Sequence, residues 1–197
     1  MAPPHLYRLD IDFFIRGVNT SQCRSERNHV HVRVFLQEQT ALQSGMDRPY
    51  DRLYDQIKQY IQTTEDIWAR LATMEAVLHH KMQSFFWTGV YVLVDGDLIV
   101  RSYQGPVACQ KLRNGGVCWA AINSGETVIV DNVEEFPGHI ACNAASKSEI
   151  VIPLRDPEGR IFGCLDVDSD QLGAFDREDE AGLKKILSLL YQSDSVK

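Results

Sequence analysis

The feature that most constrains the fold is a change in hydrophobic periodicity near residue 85. Before this point apolar residues recur every three or four positions, which predicts two amphipathic helices, the second running to about residue 83 after a capping-box-like segment at 63–66. After it, residues 87–94 and 98–103 are rich in β-branched and aromatic residues, and Asp95-Gly96-Asp97 between them predicts a β-hairpin. The apolar residues of the two helices are Leu53, Ile57, Tyr60 and Ile61, then Ile67, Leu71, Met74 and Leu78.

The remaining elements complete a recognisable fold class. Residues 117–123 are predicted to form a short apolar helix and residues 127–130 a strand, followed by a second hairpin from 149–154 and 161–167. Asp176 is predicted to cap a last helix, with Asp179 completing the capping signature. This order contains no βαβ repeat. It predicts an α+β fold, in which a central antiparallel sheet carries the terminal helices packed together on one face.

Composition separates residues 1–46 from the rest of the chain. This segment holds five arginines, no lysine and only four acidic residues, and we predict a poorly ordered N-terminal extension before a main domain at 47–197. The net charge of −7 for the chain disfavours binding to nucleic acid or to an anionic membrane. No apolar run is long enough to span a membrane, and a secretory signal pattern is lacking, so we expect a cytoplasmic protein.

An odd number of cysteines, without CxxC or zinc-like spacing, argues against a disulfide framework and against a metal centre. Cys142 is followed by small residues and preceded three positions earlier by His139, so it is a candidate reactive thiolate. Cys164 lies among bulky apolar residues of a predicted strand, which indicates a buried core thiol. The five cysteines are Cys23, Cys109, Cys118, Cys142 and Cys164.

Three acidic residues interrupt the apolar strands of the predicted second hairpin. Glu149 stands at the head of its strand, and Asp166 and Asp168 are two positions apart, so they share one face of theirs. This pattern fits either a solvent-facing edge or a pocket that holds an ammonium group and supplies a proton. Trp87 and Tyr91, which begin the first hairpin, could form a wall of such a pocket.

Six stretches of sequence carry a family resemblance. They are Gly105-Pro106-Val107-Ala108-Cys109, Gly116-Val117-Cys118, Ser124-Gly125-Glu126-Thr127-Val128-Ile129-Val130-Asp131, Phe136-Pro137-Gly138-His139-Ile140-Ala141-Cys142, Ser148-Glu149-Ile150-Val151-Ile152-Pro153-Leu154 and Leu165-Asp166-Val167-Asp168-Ser169. Together they closely resemble the free methionine-(R)-sulfoxide reductases, which are small GAF-domain enzymes. The resemblance extends over about residues 50–191 and implies a GAF domain at 47–197.

The resemblance implies a thiol mechanism acting on free methionine-R-sulfoxide. Cys142 matches the cysteine that attacks the substrate, Cys109 the resolving cysteine, and Cys118 a third cysteine that can be an accessory partner. Eight residues separate Cys109 from Cys118, one fewer than the usual loop of the family, which leaves open which of the two resolves. The implied reductant is of the thioredoxin type, the implied assembly is commonly a homodimer, and no cofactor or metal is implied.

The resemblance also implies a substrate pocket. Glu149, Asp166 and Asp168 match acids that hold free methionine sulfoxide and assist proton delivery, and Trp87 and Tyr91 match its aromatic residues. Reduction of a sulfoxide suits these residue types, because a thiolate attacks the sulfur while a carboxyl group protonates the departing oxygen.

Three other functions remain open at this point, and one of them is metal binding through Cys142, His139 and Asp166. A non-catalytic GAF module would bind a small ligand without turnover, since one fold hosts many functions. A general thiol peroxidase would use Cys142 on a hydroperoxide and would not need an acidic subsite for an amino acid.

Overall fold

A computed structural model describes residues 49–138 and 144–192. Its centre is one sheet of six antiparallel strands in the order β3-β2-β1-β6-β5-β4. The predicted α+β class is therefore confirmed. The strands are β1 Trp87–Val94, β2 Asp97–Gln104, β3 Lys111–Leu112, β4 Val128–Val130, β5 Ser148–Arg155 and β6 Ile161–Ser169.

Three helices cover one face of the sheet, as predicted for the terminal helices. They are α1 Pro49–Tyr60, α2 Ile67–Lys81 and α4 Arg177–Leu187, and short 3₁₀ turns follow α1 at Ile61–Thr63 and α4 at Ser188–Tyr191. Their apolar faces bury a single core against the sheet. Members of this core include Ile57, Leu71, Leu78, Val90, Ile150, Leu165, Val167, Leu183 and Ile186.

Helix starts follow the capping signals, with one correction. Asp176 accepts hydrogen bonds from the first turn of α4, and the Asp179 side chain accepts from the Asp176 N–H in return, which confirms the capping box. The capping box predicted at residues 63–66 is wrong in detail. Asp66 alone caps α2, by accepting from the Ala69 N–H at 2.8 Å. Thr63 belongs instead to the preceding 3₁₀ turn, Ile61–Thr63.

The first hairpin turns where the sequence predicts it. Asp95 and Gly96 form the two-residue loop between β1 and β2, with φ of 50° and 84°. A loop with positive φ at both positions matches the twist of the flanking strands, which explains the Asp-Gly pair.

A fourth helix, α3 at Gly116–Ser124, packs on the opposite face of the sheet. Between α3 and the sheet lies a second, smaller hydrophobic core, which contains Trp87, Tyr91, Cys118, Val151 and Cys164. None of the helices in the described ranges is both long enough and apolar enough to cross a membrane. The predicted extension at 1–46, with Cys23, and the segment 139–143, with His139 and Cys142, lie outside the described residues.

Candidate active site

Strand register places the predicted acidic residues beside the predicted aromatic wall. On three neighbouring strands Trp87, Asp168 and Glu149 pair in one row, and one row further along Gly89 and Val151 flank Asp166. Residues two apart on a strand share a face, so both rows lie on the α3 side of the sheet.

Helix α3 brings a thiol onto the acidic residues. Gly115 and Gly116 have φ of 124° and 78°, which favour glycine, and they let the chain turn sharply into the helix. In the first turn that follows, Cys118 is only 4% exposed. Its Sγ lies 3.3 Å from Asp166 Oδ2 and 3.9 Å from Glu149 Oε1.

Burial changes the protonation of this cluster. It raises the pKa of Glu149 well above the usual range, and the neighbouring charges of Asp166 and Asp168 raise it further. Burial also raises the pKa of Asp166, with a hydrogen bond from Cys118 acting in the opposite direction, and raises the pKa of Asp168 to about 6. The pKa of Cys118 is raised by its hydrogen bond with Cys164, by burial and by the carboxylates, so Cys118 stays a neutral thiol.

The aromatic wall is a stack of three rings. Trp87 lies between Tyr91 and Tyr103, with ring centroids 5.9 Å and 5.5 Å apart. Gly89 makes room for this stack, because a Cβ there would overlap the Trp87 indole and lie 2.6 Å from Tyr103 Cβ. The wall therefore depends on a glycine in the middle of a strand.

These elements enclose a cavity of about 200 Å³. Glu149, Asp166 and Asp168 form its acidic floor, which meets the aromatic wall at the half-buried Cys109. The Tyr91 hydroxyl donates to the Cys109 carbonyl oxygen at 3.0 Å. Ser146, hydrogen-bonded to Asp168, closes a further side. At the mouth stand the exposed Arg113 and the start of α3, whose first turn has no side-chain cap.

One buried polar atom of the cavity lining, the donor Trp87 Nε1, has no hydrogen-bond partner among the described residues. Asp166 Oδ1 is likewise buried and accepts from no N–H or hydroxyl group of the described residues, but the Asp166 carboxyl group is hydrogen-bonded to that of Glu149. The two acids therefore share a proton at the base of the cavity.

Three side chains at the base of the cavity lie close enough together to hold a cation. The ligand atoms of Cys118, Glu149 and Asp166 lie within 4.8 Å of one another. The Cys118 thiol instead donates to Asp166 Oδ2, so the cluster is joined by its own hydrogen bonds.

Seven of the predicted site residues line this single cavity, while Cys142 is among the residues that the structure leaves undescribed. The seven are Trp87, Tyr91, Cys109, Cys118, Glu149, Asp166 and Asp168. Sequence reasoning missed Arg113, Ser146 and the ring of Tyr103. Gly115-Gly116 before an apolar helix was the available signal that a helix start faces a ligand site.

Comparisons with known proteins point in one direction. Residues 71–190 match a family model described as GAF domain. The chain is 44% identical over 146 residues to GAF domain-containing protein A of Dictyostelium discoideum, covering 73% of this chain and 91% of that protein. It is 41% identical over 123 residues to free methionine-R-sulfoxide reductase of Escherichia coli K12, covering 62% and 74%. Free methionine-R-sulfoxide reductase of Neisseria meningitidis, solved in complex with its substrate, superposes with a TM-score of 0.68 at 37% identity, covering 72% and 86%.

Proposed function

The chain belongs to the free methionine-R-sulfoxide reductase family of GAF domains, and on that premise we propose that it reduces free L-methionine-(R)-sulfoxide to L-methionine. One observation carries the proposal: a small cavity in which three acidic side chains meet an aromatic wall beside a half-buried thiol. Methionine sulfoxide as a free amino acid offers an ammonium group to the acids and an apolar methyl group to the wall.

The acidic floor is proposed to bind the ammonium group of the substrate. Glu149, Asp166 and Asp168 together line the cavity, on two neighbouring strands. At the mouth, Arg113 and the uncapped N–H groups of α3 offer positive charge to the carboxylate. A residue within a peptide has neither charge, and the cavity of about 200 Å³ is smaller than a typical drug-sized pocket, so the free amino acid is favoured.

The aromatic wall is proposed to hold the methylsulfinyl end. Stacked Trp87 and Tyr91 give an apolar surface for the methyl group, and Trp87 Nε1 is free to donate to an oxygen of the substrate. The R and S forms differ in where methyl group and oxygen point. A site with one donor and one apolar wall therefore discriminates between them.

The chemistry follows from the residue types. Cys142 is proposed as the thiolate that attacks the sulfoxide sulfur, while the protonated Glu149 carboxyl donates to the departing oxygen. The sulfur of the substrate is reduced to methionine, its oxygen passes to Cys142, and a cysteine sulfenic acid results. A second thiol attacks the sulfenic sulfur, which gives a disulfide and water.

Cys109 is the proposed resolving cysteine. It lines the cavity and is half-buried, so its sulfur can approach both the site and an outside reductant. Ser146, four residues after Cys142 in the sequence, also lines the cavity, and this supports Cys142 as the attacking cysteine. Cys118 is the alternative resolver, and it lies on the floor beneath the acids.

Further parts of the cycle are proposed without a structural counterpart. The disulfide must be exchanged by an external dithiol, for which a thioredoxin-type reductant is suited. The cytoplasm keeps such a dithiol reduced, so we propose that the protein acts there, as a homodimer.

The first experiment compares substrates in a thioredoxin-coupled assay. Free methionine-R-sulfoxide is expected to turn over, and the S form and a peptide-bound sulfoxide are expected to react far more slowly. Binding without turnover would instead indicate a ligand-binding GAF module. Turnover of a hydroperoxide but of no sulfoxide would indicate a thiol peroxidase.

A second experiment assigns the thiols by methionine release without reductant. Cys142→Ser is expected to release none, because a serine hydroxyl is a poor nucleophile at sulfur. Cys109→Ser is expected to release about one methionine per site and stop at the sulfenic acid. Cys164→Ser is the matched control: it removes a buried thiol that does not line the cavity, so its turnover should be retained. Release by Cys142→Ser would disprove the nucleophile assignment.

A further inference from the structure

Cys118 has surroundings unlike those of a reactive thiol. Its sulfur is buried at the base of the cavity, and its nearest described polar partners are Asp166 Oδ2 at 3.3 Å, Glu149 Oε1 at 3.9 Å and the thiol of Cys164. No cationic side chain is among them. The Cys118 side chain has one hydrogen to donate, and the Asp166 carboxyl oxygen at 3.3 Å is a stronger acceptor for it than the Cys164 thiol.

These contacts disfavour a redox role for Cys118. Thiol–disulfide chemistry needs a thiolate, and a thiolate here would stand beside two carboxyl groups with little access to water. The hydrogen bond with Cys164, burial and the neighbouring acids accordingly raise the pKa of Cys118, so it stays protonated. Its proton is then permanently available as a hydrogen-bond donor.

We propose that Cys118 is a positioning residue whose thiol donates to Asp166 Oδ2 and so fixes the orientation of the Asp166 carboxyl group in the subsite for the substrate ammonium group. The inference rests on the proposed function, since it assigns a task within the amino-acid subsite. The buried Asp166 carboxyl group is held from two sides, by the Cys118 thiol at 3.3 Å and by a hydrogen bond with Glu149. Cys118 thus acts through Asp166 and does not touch the reacting sulfur.

A resolving role and a positioning role make opposite demands on the side chain. A resolver needs sulfur, so serine and alanine would fail alike. A positioning donor needs only a polar hydrogen, so Cys118→Ser should retain most of the function while Cys118→Ala should lose it. Serine keeps a side-chain hydrogen at nearly the same position, because its C–O bond is only slightly shorter than the C–S bond of cysteine.

The decisive measurement is equilibrium binding in a background that cannot turn over. In a Cys142→Ser protein, titration calorimetry measures the Kd of free methionine-R-sulfoxide with no redox step, so a resolver contributes nothing. Adding Cys118→Ala is expected to weaken binding about tenfold or more, and adding Cys118→Ser is expected to stay within about threefold of the parent. Cys164→Ala in the same background removes the neighbouring thiol but leaves the contact between Cys118 and Asp166, so it is expected to weaken binding less than Cys118→Ala.

Each outcome has one meaning. Equal Kd values for the parent and the Cys118→Ala protein would overturn the positioning role, and so would equal losses for the serine and alanine variants. Failure of the parent itself to bind would overturn the proposed function. Thermal melting of every variant separates misfolding from loss of binding. In a protein that keeps Cys142, KM and kcat of the Cys118 variants give a second test, because the positioning role predicts that Cys118→Ala raises KM.

Discussion

Helix α2 buries a carboxyl group far from the active site, and this makes the stability of the fold depend on pH. Glu75 is fully buried on the inner face of the helix. The Ser102 hydroxyl donates to its Oε1 at 2.8 Å, while Oε2 has no partner among the described residues. Burial raises the pKa of Glu75 to about 7 from an ordinary 4.5, with the Ser102 hydrogen bond opposing part of the rise.

The sign of the effect follows from the two protonation equilibria. Below pH 4.5 the Glu75 carboxyl is protonated in both the folded and the unfolded chain, and it imposes no penalty on folding. As pH rises, the unfolded chain loses this proton first, so the free energy of unfolding falls until pH 7, where the folded protein loses it too. Between pH 5 and pH 8 the loss is about 2.5 kcal/mol.

Glu75→Gln isolates this contribution. Glutamine does not titrate, so the stability of the variant relative to the unmutated protein should improve by about 2.5 kcal/mol from pH 5 to pH 8. Taking the difference between two pH values cancels the fixed cost of burying an amide. Urea unfolding at both pH values gives the free energies, and the shared acidic residues of the active site cancel in each comparison.

Two further variants sharpen the test. Ser102→Ala removes the hydrogen bond that lowers the pKa of Glu75, so its stability should fall more steeply with pH than that of the unmutated protein. Glu126→Gln changes an exposed carboxylate and should move the unfolding free energy by less than about 0.5 kcal/mol at either pH. A Glu75→Gln difference that is the same at pH 5 and pH 8 would refute the reasoning.

Three other changes test the site and the domain boundary. Glu149→Gln and Asp168→Asn are each expected to lower kcat/KM about a hundredfold in the coupled assay while circular dichroism stays unchanged, and near-normal activity of either would remove its assigned role. Gly89→Ala is expected to displace the Trp87 ring and raise KM for the sulfoxide in the coupled assay, and an unchanged KM would contradict this role of the glycine. Deleting residues 1–46 is expected to leave activity and most stability intact, and a truncated chain that cannot fold would show that this segment belongs to the core.

The elements that the sequence predicts well are those with local signals. The Asp95-Gly96 turn, the capping box at Asp176 and the glycine-bounded helix α3 each depend on neighbouring residues, and each occurs as expected. Strand β3 at Lys111–Leu112 was not foreseen. It is two residues long and exists only by pairing with Leu98 and Ile99 of β2, which no periodicity within the connection could show.

In the candidate site too, the sequence predicts the residues that have a local signal and misses those that do not. The acids were visible because charged residues interrupt apolar strands, whereas Arg113 and Ser146 come from connections that carry no such contrast. The hydrogen bond from Cys118 to Asp166 joins residues 48 positions apart, so only the folded chain reveals it. Glu75 is an intermediate case: it lies four residues after Leu71 on the apolar stripe of α2, a visible but overlooked signal.

Strand alternation links the core to the active site. On β6, Leu165 and Val167 face the helical core, while Asp166 and Asp168 face the cavity. A one-residue slip of this strand would bury two carboxylates under the helices and expose two apolar side chains to the cavity, at a large free-energy cost. Packing of the helices therefore enforces the register that brings Trp87, Asp168 and Glu149 into one row. Substitutions in the helical core that loosen this register should reduce activity before the protein unfolds, although none of those residues touches the cavity.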